Sequence, residues 1–99
     1  MLQKINKTIF PYLARALAPD IRVNAVAPGL VTSRWFRDGL GQEGYEKVKA
    51  GYEQRAPLGR ACTPEDVAEA VVWLVCGAKT VTGEVMLLDS GVHLGSAQR

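Results

Sequence analysis

Cysteine and histidine are scarce in this chain. Its 99 residues include 2 cysteines, Cys62 and Cys76, and 1 histidine, His93. Two thiols make no disulfide framework, no C-x-x-C pair occurs, and a single imidazole leaves no zinc constellation. No metal site is therefore expected, and both thiols are expected reduced, as in the cytoplasm. Charge of one sign is missing as well: 12 Lys+Arg stand against 10 Asp+Glu, a formal net charge of +2. The cations are scattered and build no stripe for nucleic acid. Long apolar runs are also absent. The longest, Val67–Cys76, is broken by Glu69 and reaches roughly half of the ~20 residues a membrane span needs. The opening Met1-Leu2-Gln3-Lys4-Ile5-Asn6 lacks the apolar core of a secretory signal. No repeat and no low-complexity segment breaks the chain.

The residues that are present describe a globular chain. A hydrophobic share of 47% excludes disorder, and 99 residues allow one small domain but not two. Such a chain buries roughly 60–70% of its unfolded surface, which leaves little margin for a missing element.

Residues 1–10 carry weak structural signals. Tyr12–Ala18 (YLARALA) consists of strong helix formers, with Leu13 and Leu17 on one face. Pro11 fits a first helical turn, and Pro19-Asp20 ends the element. Ile21–Ala27 (IRVNAVA) reads as a strand closed by Pro28-Gly29. Its only polar residues are Arg22 and Asn24, so burial on both faces is expected, as in a parallel sheet covered by helices. Residues 30–60 read as a long irregular middle, with a helix at Tyr45–Gln54 interrupted by Gly51. Connections of that length are usually functional. Thr63 caps a further helix, Pro64 opens it and Asp66 completes a capping pattern. Val67, Ala70, Val71, Leu74 and Val75 then recur at helical spacing up to Gly77. Glu84–Asp89 (EVMLLD) is a second strand, followed by a polar tail. The expected class is α/β, a parallel strand pair joined by a crossover. Two strands do not make a stable sheet, so their apolar edges call for partners.

Several motifs invite chemistry. Gly39-Leu40-Gly41-Gln42-Glu43-Gly44 spells G-x-G-x-x-G, but no strand ends immediately before it, so a flexible loop is the reading. Tyr45 and Lys49 form Y-x-x-x-K, a pair that can lower a phenol's pKa on one helix face. No serine accompanies them, which favours an amphipathic turn. Asp89, Ser90 and His93 are too close in sequence to converge as a triad; His93 reads as a surface or interface residue. Cys62 and Cys76 read as small apolar fillers. Trp35, Phe36, Tyr45 and Tyr52 gather the aromatics in the middle segment, either as local packing or as an apolar wall over a ligand.

The stretch Tyr12–Gly29, YLARALAPDIRVNAVAPG, resembles the short-chain dehydrogenase/reductase family. The likeness continues through Leu30-Val31-Thr32-Ser33-Arg34-Trp35, Pro57-Leu58-Gly59-Arg60 and Thr63-Pro64-Glu65-Asp66-Val67-Ala68. It closes on Val81-Thr82-Gly83-Glu84-Val85 and Leu88-Asp89-Ser90-Gly91, and so covers about residues 12–95. Residues 1–11 do not match.

The resemblance implies the C-terminal helix–strand–loop–helix–strand part of a Rossmann-type, doubly wound parallel sheet. It implies NAD or NADP as cofactor, a small carbonyl or alcohol as substrate, and a homo-oligomer packed through the last strand. Ile21–Ala27 corresponds to the sixth strand, and Pro28-Gly29 ends it. The backbone at Val31 meets the nicotinamide carboxamide in this family. A hydroxyl two residues later is held here by Ser33, with Thr32 as the neighbouring substitute. Trp35, Phe36 and Tyr45 fall in the substrate-binding loop. The family's glycine-rich turn, Asn-Ala-Gly segment, catalytic Ser and catalytic Tyr match no position of these 99 residues. The catalytic Lys would align with Gln3, one place from Lys4, so no catalytic residue is assigned. The expectation is an oxidoreductase part without turnover of its own. The alternatives are a non-catalytic interaction module, alone or with a full-length relative, and a truncated gene product.

Overall fold

The computed structural model describes residues 9–99. Helix α1 spans Phe10–Leu17, strand β1 Ala25–Pro28, helix α2 Arg34–Arg55, helix α3 Pro64–Cys76 and strand β2 Val85–Leu88. A single 3-10 turn, Val92–Leu94, follows. The expectations for Gln3 and Lys4 lie outside the described residues.

β1 and β2 pair in parallel, with Ala25 opposite Val85 and Pro28 opposite Leu88. The order of elements was legible from the alternating apolar and polar segments, and the crossover between the strands is built by α2 and α3. β1 is shorter than the Ile21–Ala27 expected. Its lead-in is drawn away from the ladder by the two polar side chains. The Arg22 guanidinium donates to the carbonyls of Ala78 and Val81 at 3.1 and 3.3 Å, and to that of Val75 at 3.4 Å. Asn24 donates to the Val81 carbonyl at 2.9 Å and accepts from the Glu84 amide at 3.0 Å. These bonds fasten the end of α3 and the following loop to the start of β1. Burial on both faces is not seen: Ala25–Ala27 are half-buried and Pro28 is exposed. In a parallel ladder alternate residues face the partner. The Ala25 and Gly29 amides reach the Glu84 and Leu88 carbonyls, both at 3.0 Å, so Val26 turns its polar groups to the opposite edge. No strand covers that edge among the described residues.

α1 has Pro11 in its first turn, where the missing N–H costs nothing. Its buried residue is Ala14, not the Leu13–Leu17 pair, both of which are exposed. A Cβ added at Gly83 would touch the Ala14 Cβ at 3.5 Å, so two small residues allow the helix to approach the second strand's lead-in. α3 has the cap its sequence promises. The Thr63 hydroxyl accepts from the Asp66 amide at 3.1 Å, and the Asp66 carboxylate accepts from the Thr63 amide at 2.9 Å. Leu74 is its buried residue and faces β1.

The middle segment departs most from expectation. It is not irregular: α2 runs through residues 34–55 as a helix kinked at Gly41, whose φ of 75° is non-helical. Gly51, expected to interrupt, stays helical with open space around its Cα. The G-x-G-x-x-G segment is therefore part of a kinked helix and not a loop. Tyr45, Tyr52 and Ala56, at spacings of seven and four, form the buried face of this segment. The core cluster is Tyr52, Ala56 and Ala61, with Leu30 and Val92 packed against it. It is thin, and large apolar side chains stay exposed on α3 (Val71, Val72, Trp73, Val75) and on β2 (Leu87).

Candidate functional site at the carboxyl ends of the strands

Both strands end at the same level, and the turns that leave them lie side by side. In open α/β sheets ligands gather outside the carboxyl ends of the strands. From β1 the chain passes through Gly29, Leu30 and Val31 to Ser33, the N-cap of α2. This turn is fixed by a parallel bridge between Val31 and Cys62. The Cys62 amide donates to the Leu30 carbonyl at 2.9 Å, and the Thr32 amide donates to the Cys62 carbonyl at 2.8 Å. A bridge of this kind uses the residues on either side of Val31 and turns Val31's own amide the other way. The Val31 N–H has no acceptor among the described residues.

The two hydroxyls differ. Thr32 Oγ1 donates to the Cys62 carbonyl at 3.3 Å, so its proton is engaged. Ser33 Oγ accepts from the Phe36 amide at 3.1 Å, as an N-cap should, and its own proton has no acceptor among the described residues. Among the described residues, Ser33 and Val31 are therefore two donors without acceptors, two residues apart, at the end of β1. Pro28 contributes no N–H, and Gly29 donates to Leu88.

The three aromatic candidates separate. Trp35 is 84% exposed on the first turn of α2. Phe36 and Tyr45 meet edge to face across the kink, with ring centroids 5.7 Å apart. The Arg37 guanidinium lies 4.9 Å from the Tyr45 ring centre. Tyr45 does not pair with Lys49. The ammonium turns to Glu53 at 2.6 Å, and that hydrogen bond holds its pKa above the ordinary 10.5.

On the β2 side, Asp89 organises the outgoing turn. Its carboxylate accepts from the Gly91 and His93 amides at 3.1 and 3.0 Å, and from the His93 ring nitrogen at 2.9 Å. Burial works to raise the Asp89 pKa, but these hydrogen bonds outweigh it and hold the group below its ordinary 3.8. His93 thus does meet a carboxylate close in sequence, because Ser90 and Gly91 both adopt positive φ and reverse the chain. A cleft of about 320 Å³ beside this turn is lined by Arg60, Cys62, Asp66, Asp89 and His93. Its polar side chains pair with one another, Arg60 with Asp66 and the His93 ring with Asp89. Burial, with Asp66 adding to it, pushes the Cys62 thiol above its ordinary 9.0, so it is a filler and not a thiolate. Cys76 is exposed, contrary to the filler reading. Among the described residues no three of His, Cys, Asp and Glu gather to hold a metal ion. No described helix is long and apolar enough to cross a membrane.

Tyr52, one of the four aromatics read as local packing or as an apolar wall, contributes to this region through its hydroxyl, which the sequence reading did not foresee. Its hydroxyl donates to the Asp89 backbone carbonyl at 2.9 Å, between the two strand ends. The seven-residue spacing from Tyr45 put it on the buried face; nothing local announced its bond.

A family model described as enoyl-(acyl carrier protein) reductase matches residues 7–93. The chain belongs to the short-chain dehydrogenase/reductase family. It is similar to 2-(S)-hydroxypropyl-CoM dehydrogenase 3 of Xanthobacter autotrophicus, at 41% identity over 87 residues, 81% of this chain and 34% of that protein. It is also similar to the short-chain dehydrogenase/reductase homolog YusR of Bacillus subtilis, at 40% identity over 82 residues, 83% of this chain and 58% of YusR. A small-chain dehydrogenase solved in complex with NADPH superimposes with a TM-score of 0.80 at 30% identity, over 94% of this chain and 41% of its own. These 99 residues thus span between a third and three fifths of such short-chain dehydrogenase/reductase relatives, and the strand pair with its helices is part of a Rossmann-type sheet.

Proposed function

We propose that this chain is the C-terminal, nicotinamide-side part of an NAD(P)-dependent short-chain oxidoreductase acting on a small carbonyl or alcohol. The observation that carries this reading is the pair of donors at the end of β1 without acceptors among the described residues, the Val31 amide and the Ser33 hydroxyl. A carboxamide offers a carbonyl acceptor that suits a fixed backbone N–H, and a hydroxyl donor suits the cofactor's polar groups beyond it. Bound NAD or NADP supplies the hydride chemistry. The chain's own residues would orient the nicotinamide end: Pro28 and Gly29 bring the backbone close, Val31 and Ser33 donate, and Thr32 braces the turn against Cys62. Trp35, Phe36 and Tyr45 would form the substrate side, with the Phe36–Tyr45 contact holding the kinked helix and Trp35 free to cover a ligand. The family's catalytic Ser and Tyr have no counterpart in these 99 residues, which alone are therefore expected to bind weakly and not to turn over. We place it in the cytoplasm on the low cysteine count, which builds no disulfide framework.

The test is a two-dimensional NMR titration with NADH and with NADPH. The expected result is millimolar binding with the largest shifts at Val31, Thr32 and Ser33. Micromolar affinity, turnover by the 99 residues, or shifts confined to other elements would overturn the reading.

A second reading, an interaction module, is favoured by a separate observation. A groove of about 750 Å³ beside β1 is lined by Val26, Val71, Leu74 and Val75 and equally by polar groups, among them Asp20, Arg22, Asn24 and Lys79. With Val72, Trp73 and Leu87 also exposed elsewhere on α3 and β2, it supports association with a second copy or a full-length relative. A monomeric mass at all concentrations without hydrophobic-dye binding would remove this reading.

A further inference from the structure

We infer that the Tyr52 hydroxyl is a positioning group that sets the turn Gly29–Ser33 by filling the space a Cβ would take at Gly29. The functional weight of this inference rests on the reading of Val31 and Ser33 as cofactor donors; its geometry stands apart from it. Tyr52 is buried on the inner face of α2, and its ring belongs to the core cluster with Ala56 and Ala61. Its oxygen donates to the Asp89 carbonyl at 2.9 Å, which also accepts from the Val92 amide at 3.0 Å. A Cβ built on Gly29 would fall on that same phenol oxygen, well inside contact distance. The next nearest atoms are the Asp89 Cα and Cβ, both at 3.2 Å.

The oxygen therefore lies between the first residue beyond β1 and the first residue beyond β2. Gly29 donates to the Leu88 carbonyl on one side of it, and the Asp89 side chain is held by the Gly91 and His93 amides on the other. Both strand exits are thus referred to one rigid group on a third element. α2 in turn is held at that end, where the Arg99 guanidinium donates to the carbonyls of Glu53 and Ala56 at 2.7 and 2.9 Å. Close packing leaves no slack here: the position of the phenol fixes how far the Gly29 backbone approaches Asp89, and hence where the Val31 amide starts.

Two variants and their combination decide it. Tyr52→Phe keeps the ring and its packing and leaves Asp89 its bond from Val92, so the variant folds. It should speed amide exchange at Gly29 by about fivefold, the ratio expected for one lost hydrogen bond of ~1 kcal/mol. Tyr12→Phe, at an exposed phenol, should leave it unchanged. Gly29→Ala alone should displace the Leu30–Ser33 resonances, because the methyl and the oxygen cannot share one place. In Gly29→Ala combined with Tyr52→Phe the tightest remaining approach is 3.2 Å, and those resonances should return most of the way to wild type. A structural role confined to core packing predicts the opposite, that the double variant is worse than either single one. That result, or unchanged exchange at Gly29 in Tyr52→Phe, overturns the inference. If rescue is seen while NADPH and NADH shift no resonance of the wild type, the cofactor reading falls and the positioning of the turn by Tyr52 stands.

Discussion

Leu74→Ala separates packing from mere hydrophobicity on α3. Leu74 is 7% exposed against β1, and its neighbour Val75 is 69% exposed on the same helix. Truncating Leu74 removes three carbons from an apolar environment, roughly 2.4 kcal/mol at ~0.8 kcal/mol per methylene. Leucine-to-alanine changes in closed cores cost about 2–5 kcal/mol because a cavity remains. Here the open groove along β1 touches Leu74, so the space is not sealed and the cavity contribution is small. The expected loss is therefore about 2–3 kcal/mol, at the low end of that range. In urea this lowers the midpoint by about 1–2 M with an unchanged slope. Val75→Ala should stay within about 0.5 kcal/mol, since alanine's better helix propensity offsets the small loss of apolar burial. Equal losses at the two positions, or a loss below about 1 kcal/mol at Leu74, would contradict this account of α3. A large, concentration-dependent loss at Val75 would show that its face is covered by a second molecule in solution.

Three further outcomes follow from local geometry. Thr63→Ala removes the hydroxyl that accepts from the Asp66 amide and should cost about 1 kcal/mol, visible as a melting-temperature drop of about 4–8 °C by circular dichroism. Asp66 and Asp89 both have folded pKa values below their ordinary 3.8, the first chiefly through its bond from the Thr63 amide, the second despite burial, through its bonds from His93 and Gly91. Their contribution is thus fully present above that value and lost as pH falls through the folded values. Stability should decline below about pH 4, less steeply in a His93→Ala variant, and an acid titration with no such decline would contradict these bonds. Arg99→Ala removes the fork on the last carbonyls of α2 and should cost about 0.5–1 kcal/mol, with faster amide exchange localised to Tyr52–Ala56.

The site was partly legible in the letters. Pro28-Gly29 after an apolar run marked the end of a strand, and the stretch to Ser33 carried its family likeness. Which hydroxyl keeps a free proton was not legible. Thr32 and Ser33 are adjacent and chemically alike, and only the approach of Cys62 on one and the helix start on the other tells them apart. The middle segment proved helical although four glycines between residues 39 and 51 suggest a loop. One of them, Gly41, uses its freedom for a kink, while Gly51 remains in a helix stabilised by the burial of Tyr45, Tyr52 and Ala56. At the tail, short sequence separation argued against any convergence, yet two consecutive positive-φ residues fold His93 back onto Asp89.

Local features were written in the chain itself: the Thr63 cap, the proline start of α1, the two short apolar strands and their order. These depend on neighbours a few residues apart, and the physical chemistry of caps, propensity and periodicity acts at that range. Whatever depends on distant partners was settled only by the folded arrangement. β1 is short because Arg22 and Asn24 found carbonyls more than fifty residues away. Ala14 rather than Leu13 or Leu17 is the buried residue of α1, because its face of the helix is the one that meets Gly83 in the lead-in to β2. Tyr52 sits between two strand ends, a place that no spacing of residues in one helix can specify.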